Sequence, residues 1–190
     1  VSTKIVLINK LLSKCDHMIL GGGILNSFLK AKGCEVGNSL LEEGFVSDAA
    51  KILESDFADK IIFPSDFSCV TDDGIANVEL SRISTNDTIY DLGRNSINEI
   101  KNIVRKSLSV FWNGPLGYVE KKPFNKGTEE LAKAIADHNC FSIVGGGDTL
   151  PIIENLKLQN GYNCLSTGGG SLLTYLEGGS LPIIDKLNLR

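Results

Sequence analysis

Three Gly-Gly-Gly runs, at 21–23, 145–147 and 168–170, each fall between a short apolar run and a stretch with helical spacing. A chain turns that tightly from strand to helix only where side chains do not crowd the backbone, so the runs predict strand–turn–helix units. The pieces around them agree. Ser2 can cap a helix that carries Ile5, Ile8, Leu11 and Leu12, and a strand at 17–20 leads into a second helix through Ile24, Phe28 and Leu29. Further strands are predicted at 60–63, 88–92, 109–112, 141–144 and 164–166. Further helices are predicted at 96–106 and 128–138, the latter opened by Thr128, then through Ile152, Ile153 and Leu156, and through Leu172, Leu173 and Leu176. Residues 66–84 break the rhythm with short extended pieces around the Asp72-Asp73-Gly74 turn. Strands alternating with helices at this spacing imply a parallel sheet covered on both faces. The expected class is α/β: a Rossmann-like, three-layer α/β/α arrangement with a mostly parallel sheet and a small extended excursion near 66–84. No repeat, low-complexity tract or linker interrupts it, so residues 1–190 read as one domain.

Composition narrows the function. Hydrophobic residues make up 42% and charged residues 22% of the chain, which is enough for a packed core and too apolar for disorder. The net charge is −4, with lysine and arginine scattered, so no basic stripe for nucleic acid forms. No apolar run approaches the roughly 20 residues of a membrane-spanning helix. Neither nucleic acid nor membrane is an expected partner. Five cysteines, Cys15, Cys34, Cys69, Cys140 and Cys164, include no C-x-x-C pair, and the two histidines, His17 and His138, complete no zinc-ligand spacing with them. They read as small buried thiols in a reducing compartment, and a cytoplasmic location is expected. The chain opens directly on a helical pattern with no signal peptide, and the absence of an initiator Met suggests that numbering does not begin at a natural start.

The glycine runs also suggest chemistry. In open α/β sheets ligands sit outside the carboxyl ends of the strands, and four strands here end in glycine-bearing turns. Backbone N–H groups at such turns, with the following helix dipole, favour an anion. Three runs in one domain point to a phosphorylated ligand. Yet 145–150 lacks the Gly-Lys-Ser/Thr ending of a P-loop, and 21–26 lacks the third spaced glycine of a dinucleotide fingerprint. Asp148 follows the third glycine at a helix start, where it could cap the helix or hold Mg²⁺; the residue type leaves both open. Thr149 beside it offers a hydroxyl and an N–H to phosphate. By residue type alone, Lys4 and Glu120 read as solvated charges, Trp112 as core, and His17 and His138 have no catalytic companion in sequence.

Taken together the strings resemble phosphoglycerate kinase, specifically its carboxyl-terminal nucleotide-binding domain. The resemblance covers almost the whole chain: Val1–Ile5, Gly21–Gly23 with Phe28–Ala31, Gly37–Leu40, Asp91–Gly93, Trp112-Asn-Gly-Pro-Leu-Gly117, Gly127-Thr128, Gly145-Gly-Gly-Asp-Thr149, Ser166-Thr-Gly-Gly-Gly170, and Leu176–Gly178. It implies reversible phosphoryl transfer between 1,3-bisphosphoglycerate and MgADP, giving 3-phosphoglycerate and MgATP. On this chain it would place Gly21, Gly22, Leu40, Pro115 and Tyr118 around adenine and ribose, with Glu120 on the ribose hydroxyls. Asn113, Gly146, Gly147 and Thr149 would lie along the phosphates, with Asp148 on Mg²⁺. Lys4 and the N–H groups of Gly168, Gly169 and Gly170 would face the transferring phosphoryl group. Positioning and charge neutralisation supply most of the catalysis in such transfers.

The chain departs from the family pattern at Arg94, where proline is usual after Asp-x-Gly, at Tyr118-Val119, and at Ser171-Leu172. The first is expected to alter a loop and the second to reshape the base pocket. The family's amino-terminal domain, which binds phosphoglycerate, has no counterpart here, nor has the Gly-Gly-Ala-Lys strand expected before Val1. The expectation is therefore a fragment that binds nucleotide, lacks turnover alone and is monomeric. The competing class is a stand-alone nucleotide-binding module on the same fold.

Overall fold

The computed structural model describes residues 2–181 and Lys186, without the side chains of residues 1–6, so the capping role expected of Ser2 lies outside the described residues. The order of elements is α1 (Ser2–Leu12), β1 (Met18–Ile19), α2 (Gly22–Ala31), α3 (Glu43–Leu53), β2 (Ile61–Ile62), β3 (Asp66–Thr71), β4 (Gly74–Glu79) and β5 (Thr88–Leu92). It continues with α4 (Arg94–Val104), β6 (Ser109–Asn113), α5 (Lys126–Ala136), β7 (Phe141–Gly145), α6 (Leu150–Asn155), β8 (Cys164–Ser166) and α7 (Gly169–Leu176). The α/β class and the parallel pairings follow the sequence pattern. Strand β1 pairs with β2, and β6, β7 and β8 form a sheet in that order, all parallel.

The extended excursion is a hairpin. Strands β3 and β4 pair antiparallel from Asp66↔Glu79 to Thr71↔Gly74, leaving Asp72 and Asp73 as the turn. The Thr71 hydroxyl accepts the Asp73 N–H at 3.3 Å and donates to the Gly74 carbonyl at 3.0 Å, which closes the turn. Strand β5, expected among the parallel strands, instead runs antiparallel to β3. Strand–helix alternation cannot distinguish these pairings, because the hairpin register that recruits β5 is set by residues some twenty positions earlier.

Two helices differ from the sequence reading. Helix α3 has Phe45, Ala49 and Ile52 buried at helical spacing, in a stretch for which no element was expected. Helix α5 begins at Lys126, so Thr128 lies inside it rather than at its cap. The core is apolar and aromatic: Phe28, Phe45, Phe67 and Phe124 are fully buried, and Phe28 meets Phe45 at 5.9 Å between ring centres. Burying such side chains is the main favourable term of folding. All five cysteines are free; Cys69 and Cys140 are buried as expected, whereas Cys164 is exposed on β8.

A carboxylate from the hairpin organises α4. Gly93 brings no side chain to that helix start, and buried Asp66 fills the role from β3. Its Oδ1 accepts the Ser96 N–H at 2.8 Å and the Ser96 hydroxyl at 2.7 Å. Its Oδ2 accepts the Asn95 N–H at 3.0 Å and the Asn77 amide at 2.8 Å. Burial pushes this carboxyl upward, but the hydrogen bonds from Ser96, Asn77 and Asn95 outweigh it and hold it below the usual range.

Helices α4 and α5 are joined by Glu130, which meets Lys101 at 2.6 Å and Lys133 at 3.0 Å. The hydrogen bonds from Lys101 and then Lys133 lower its carboxyl from 4.5 to about 2. A depressed acid contributes stability that is present above its unfolded value and lost as pH falls through the folded one. Glu130→Gln is therefore expected to cost about 1–2 kcal/mol near neutral pH. In urea melts the gap to wild type should narrow as pH falls from 4.5 toward about 2.

Candidate functional site

Parallel pairing brings three strand ends to one edge. Asn113, Gly145 and Ser166 stand in register across β6, β7 and β8, so the chain leaves all three strands side by side. The loops that follow are interlocked by missing side chains. A Cβ on Gly169 would come within 2.9 Å of the Gly146 nitrogen, and one on Gly145 within 3.2 Å of the Asn113 amide. The Gly114 N–H donates to the Thr149 hydroxyl at 3.1 Å, tying the loop after β6 to the loop after β7. Gly114 and Gly146 have φ of 92° and 118°, values at which a side chain would be strained.

The glycines at this edge therefore fall into two kinds. Gly145, Gly146 and Gly169 are packed against neighbouring loops, whereas Gly147 and Gly170 have nothing within 4 Å and Gly168 nothing nearer than 3.9 Å. The open set borders exposed Asp148 and the N-terminus of α7. The first-turn N–H groups of a helix have no partner within the helix, which makes this corner suited to an anion. Asp148 is not the cap of α6. Thr149 occupies that position, with its N–H on the Gly146 carbonyl at 3.2 Å and its hydroxyl turned to Gly114. Thr149 is fully buried, and its hydroxyl holds the Gly114 turn.

The second half of the site forms around the start of α2. A Cβ on Gly21 would meet the Pro115 carbonyl and the Leu116 Cα at 2.9 Å, and the Gly22 N–H donates to the Leu116 carbonyl at 3.2 Å. Leu40, 73% exposed, packs its side chain toward Gly23, while buried Asn26 donates to its carbonyl at 2.9 Å. Gly21, Gly22, Leu40 and Pro115 are thus brought to one place. Tyr118 is held nearby by its N–H on the Tyr90 carbonyl at 2.7 Å, and its ring stacks on Tyr90 at 5.6 Å. Glu120 is exposed two residues further on. Lys4 falls on α1, and its side chain lies outside the described residues.

Segment 113–118 belongs to both halves, since Asn113 and Gly114 face the β7 and β8 loops and Pro115 and Leu116 face α2. The Trp112 indole donates to the Gly114 carbonyl at 2.7 Å, so this tryptophan shapes the turn as well as filling core. A buried acid supports the segment from behind. Asp91 accepts the Leu92 N–H at 2.8 Å and the Gly127 N–H at 2.7 Å, and also takes the Lys126 N–H at the start of α5. Sequence reading did not single it out, because its α5 partners lie more than thirty positions away. Among the described residues no group of three or more His, Cys, Asp or Glu side chains is placed to hold a metal ion.

Burial raises the Asp91 carboxyl from 3.8 to about 6, against the pull of the Gly127, Leu92 and Lys126 N–H groups. An acid raised on folding stabilises most below its unfolded value, and that contribution is lost as pH rises through the folded one. Asp91→Ala leaves buried N–H groups without an acceptor and should cost about 2–4 kcal/mol at pH near 5. Urea denaturation should show a smaller gap to wild type near pH 8, where the wild type itself carries a buried charge.

The chain matches the family model described as phosphoglycerate kinase over residues 1–179. It is 41% identical over 189 residues to the phosphoglycerate kinase of Baumannia cicadellinicola subsp. Homalodisca coagulata, covering 98% of this chain and 48% of that protein. It is 44% identical over 191 residues to that of Buchnera aphidicola subsp. Baizongia pistaciae, with the same shares covered. The solved structure of phosphoglycerate kinase from Coxiella burnetii matches it with a TM-score of 0.91 at 37% identity, over 100% of this chain and 50% of that one. The chain spans about half the length of the curated relatives it matches. With one family model accounting for residues 1–179 and a kinase of the same family sharing the fold along the whole chain, this protein belongs to the phosphoglycerate kinase family.

Proposed function

We propose that residues 1–190 form the nucleotide-binding, carboxyl-terminal domain of a phosphoglycerate kinase, which transfers a phosphoryl group reversibly between 1,3-bisphosphoglycerate and MgADP. The observation that carries this reading is the division of glycines at the sheet edge. Gly145, Gly146 and Gly169 lock the loops together, and Gly147, Gly168 and Gly170 leave open backbone beside Asp148. Glycines needed only for packing would all be of the first kind.

The adenine and ribose would lie between the start of α2 and segment 115–118, against Gly21, Gly22, Leu40, Pro115 and Tyr118, with Glu120 accepting from the ribose hydroxyls. The phosphates would run along Asn113, Gly146, Gly147 and the Thr149 turn toward α7. Asp148 fits Mg²⁺: it is one exposed hard-oxygen donor, and Mg²⁺ is commonly held by one or two carboxylates together with substrate phosphates. The ion, arriving with the nucleotide, would supply neutralisation of phosphate charge. The N–H groups at Gly168–Gly170 orient the transferring group, and Lys4 is assigned to pair with a phosphate. Rigid loops do this work well, because donors already in place need no reorganisation during transfer. Phosphoglycerate would bind to the family's other domain, so this chain would serve as a cytoplasmic, monomeric half-site.

Titration calorimetry of MgADP into wild type and Asp148→Ala tests the reading. Wild type should bind, and the variant should bind at least roughly tenfold more weakly in the presence of Mg²⁺. Equal affinities would take Asp148 off the metal, and no binding by wild type would remove the nucleotide half-site. In a coupled assay with 1,3-bisphosphoglycerate and MgADP the chain alone should show no turnover; activity above background would show that it carries the whole reaction.

A further inference from the structure

Leu116 lies at the centre of the wall just described, and its backbone is gripped from both sides, at the N–H and at the carbonyl. Its carbonyl accepts the Gly22 N–H of α2 at 3.2 Å, and its own N–H donates to the Thr128 hydroxyl of α5 at 3.0 Å. Thr128 is fully buried and Leu116 is 7% exposed, so water cannot replace either partner. Helix α5 is itself anchored at this point, because the preceding Gly127 N–H is held by Asp91 at 2.7 Å. The hydroxyl expected to cap a helix is therefore used to hold a loop.

We propose that Thr128 is a positioning residue for nucleotide binding. Its hydroxyl fixes Pro115–Tyr118 at the distance from α2 that the adenine and ribose require. This rests on the nucleotide reading above and extends it to a side chain that touches no ligand. The physical reason is the two-sided grip. If the Thr128 acceptor is removed, the buried Leu116 N–H is left without a partner, and the Pro115–Leu116 peptide relieves this by rotating outward. That peptide also carries the Pro115 carbonyl, which packs against Gly21, and turning it pulls on the next peptide, whose Leu116 carbonyl holds the Gly22 N–H, so both walls of the cleft move when one hydroxyl is lost.

The test uses Thr128→Val, which keeps the shape and removes the acceptor, and Thr128→Ser, which keeps the acceptor and removes a methyl. Ile135→Val, a fully buried change on the same helix and away from the loop, serves as the stability control. Well below the melting temperature, Thr128→Val should bind MgADP roughly tenfold more weakly. Amides of 113–118 should exchange with deuterium about tenfold faster than in wild type. Thr128→Ser should keep both properties within about twofold, and Ile135→Val should lower the melting temperature without changing either. Should Thr128→Val fail to fold, Thr128→Cys, whose thiol accepts weakly, should give the same changes in smaller measure. Wild-type binding that is unchanged in Thr128→Val, or exchange over 113–118 that does not rise, overturns this proposal alone. Absence of binding by wild type overturns the nucleotide reading and this proposal with it.

Discussion

Backbone meets backbone at the edge of the β6–β7–β8 sheet more closely than any side chain would allow, and the rest of the site depends on that approach. The start of α7 lies against the Gly146 peptide, and the start of α2 against Pro115 and Leu116. At both junctions an added methyl group would force the loops apart. The close approach does two things at once. It aligns loops from β6, β7 and β8 on one side, and it presents unpaired helix N–H groups on the other, where an anion gains most from them.

Two buried carboxylates support this edge, and they are tuned in opposite directions. Asp66 receives donors from two side chains as well as two backbone N–H groups, which overcomes the cost of burial. Asp91 receives only backbone donors and remains raised to about 6. Both act at the N-terminus of a helix, α4 and α5 respectively, where a negative charge is favoured by the helix dipole. The difference follows from the donors, side-chain as well as backbone at Asp66 and backbone alone at Asp91, and from the denser packing around Asp91, although both carboxylates are almost wholly shielded from solvent.

Most elements defined by local periodicity were legible in the sequence, although α3, with Phe45, Ala49 and Ile52 at helical spacing, was missed. Strands β6, β7 and β8, the helices after them and the Asp72-Asp73 turn all follow from residues within one element. Contacts between distant residues were not. Thr128 looks like an opener of α5 until Leu116 is seen against it, and Asp91 shows no role until α5 folds back. Strand β5 was read into a parallel series because its antiparallel partner, β3, belongs to the excursion that the pattern could not pair. The site was partly legible for the same reason. Gly-Gly-Gly runs announce a tight turn, but only the packed neighbours reveal which glycine is buried against a loop and which is open. The resemblance supplied roles for Leu40, Tyr118 and Glu120 that no spacing would suggest.

The double attachment of segment 113–118 has a consequence for how this family can vary. Asn113 is set by strand register and Leu116 by bonds to two helices, so the two residues between them bridge a fixed gap. Most surface connections tolerate added residues at small cost, because loop entropy changes slowly with length. Here an insertion would have to break either the register of β6 or the grip on Leu116. Natural length variation should therefore concentrate in exposed turns such as 72–74, and the spacing from Trp112 to Gly117 should behave as a fixed ruler.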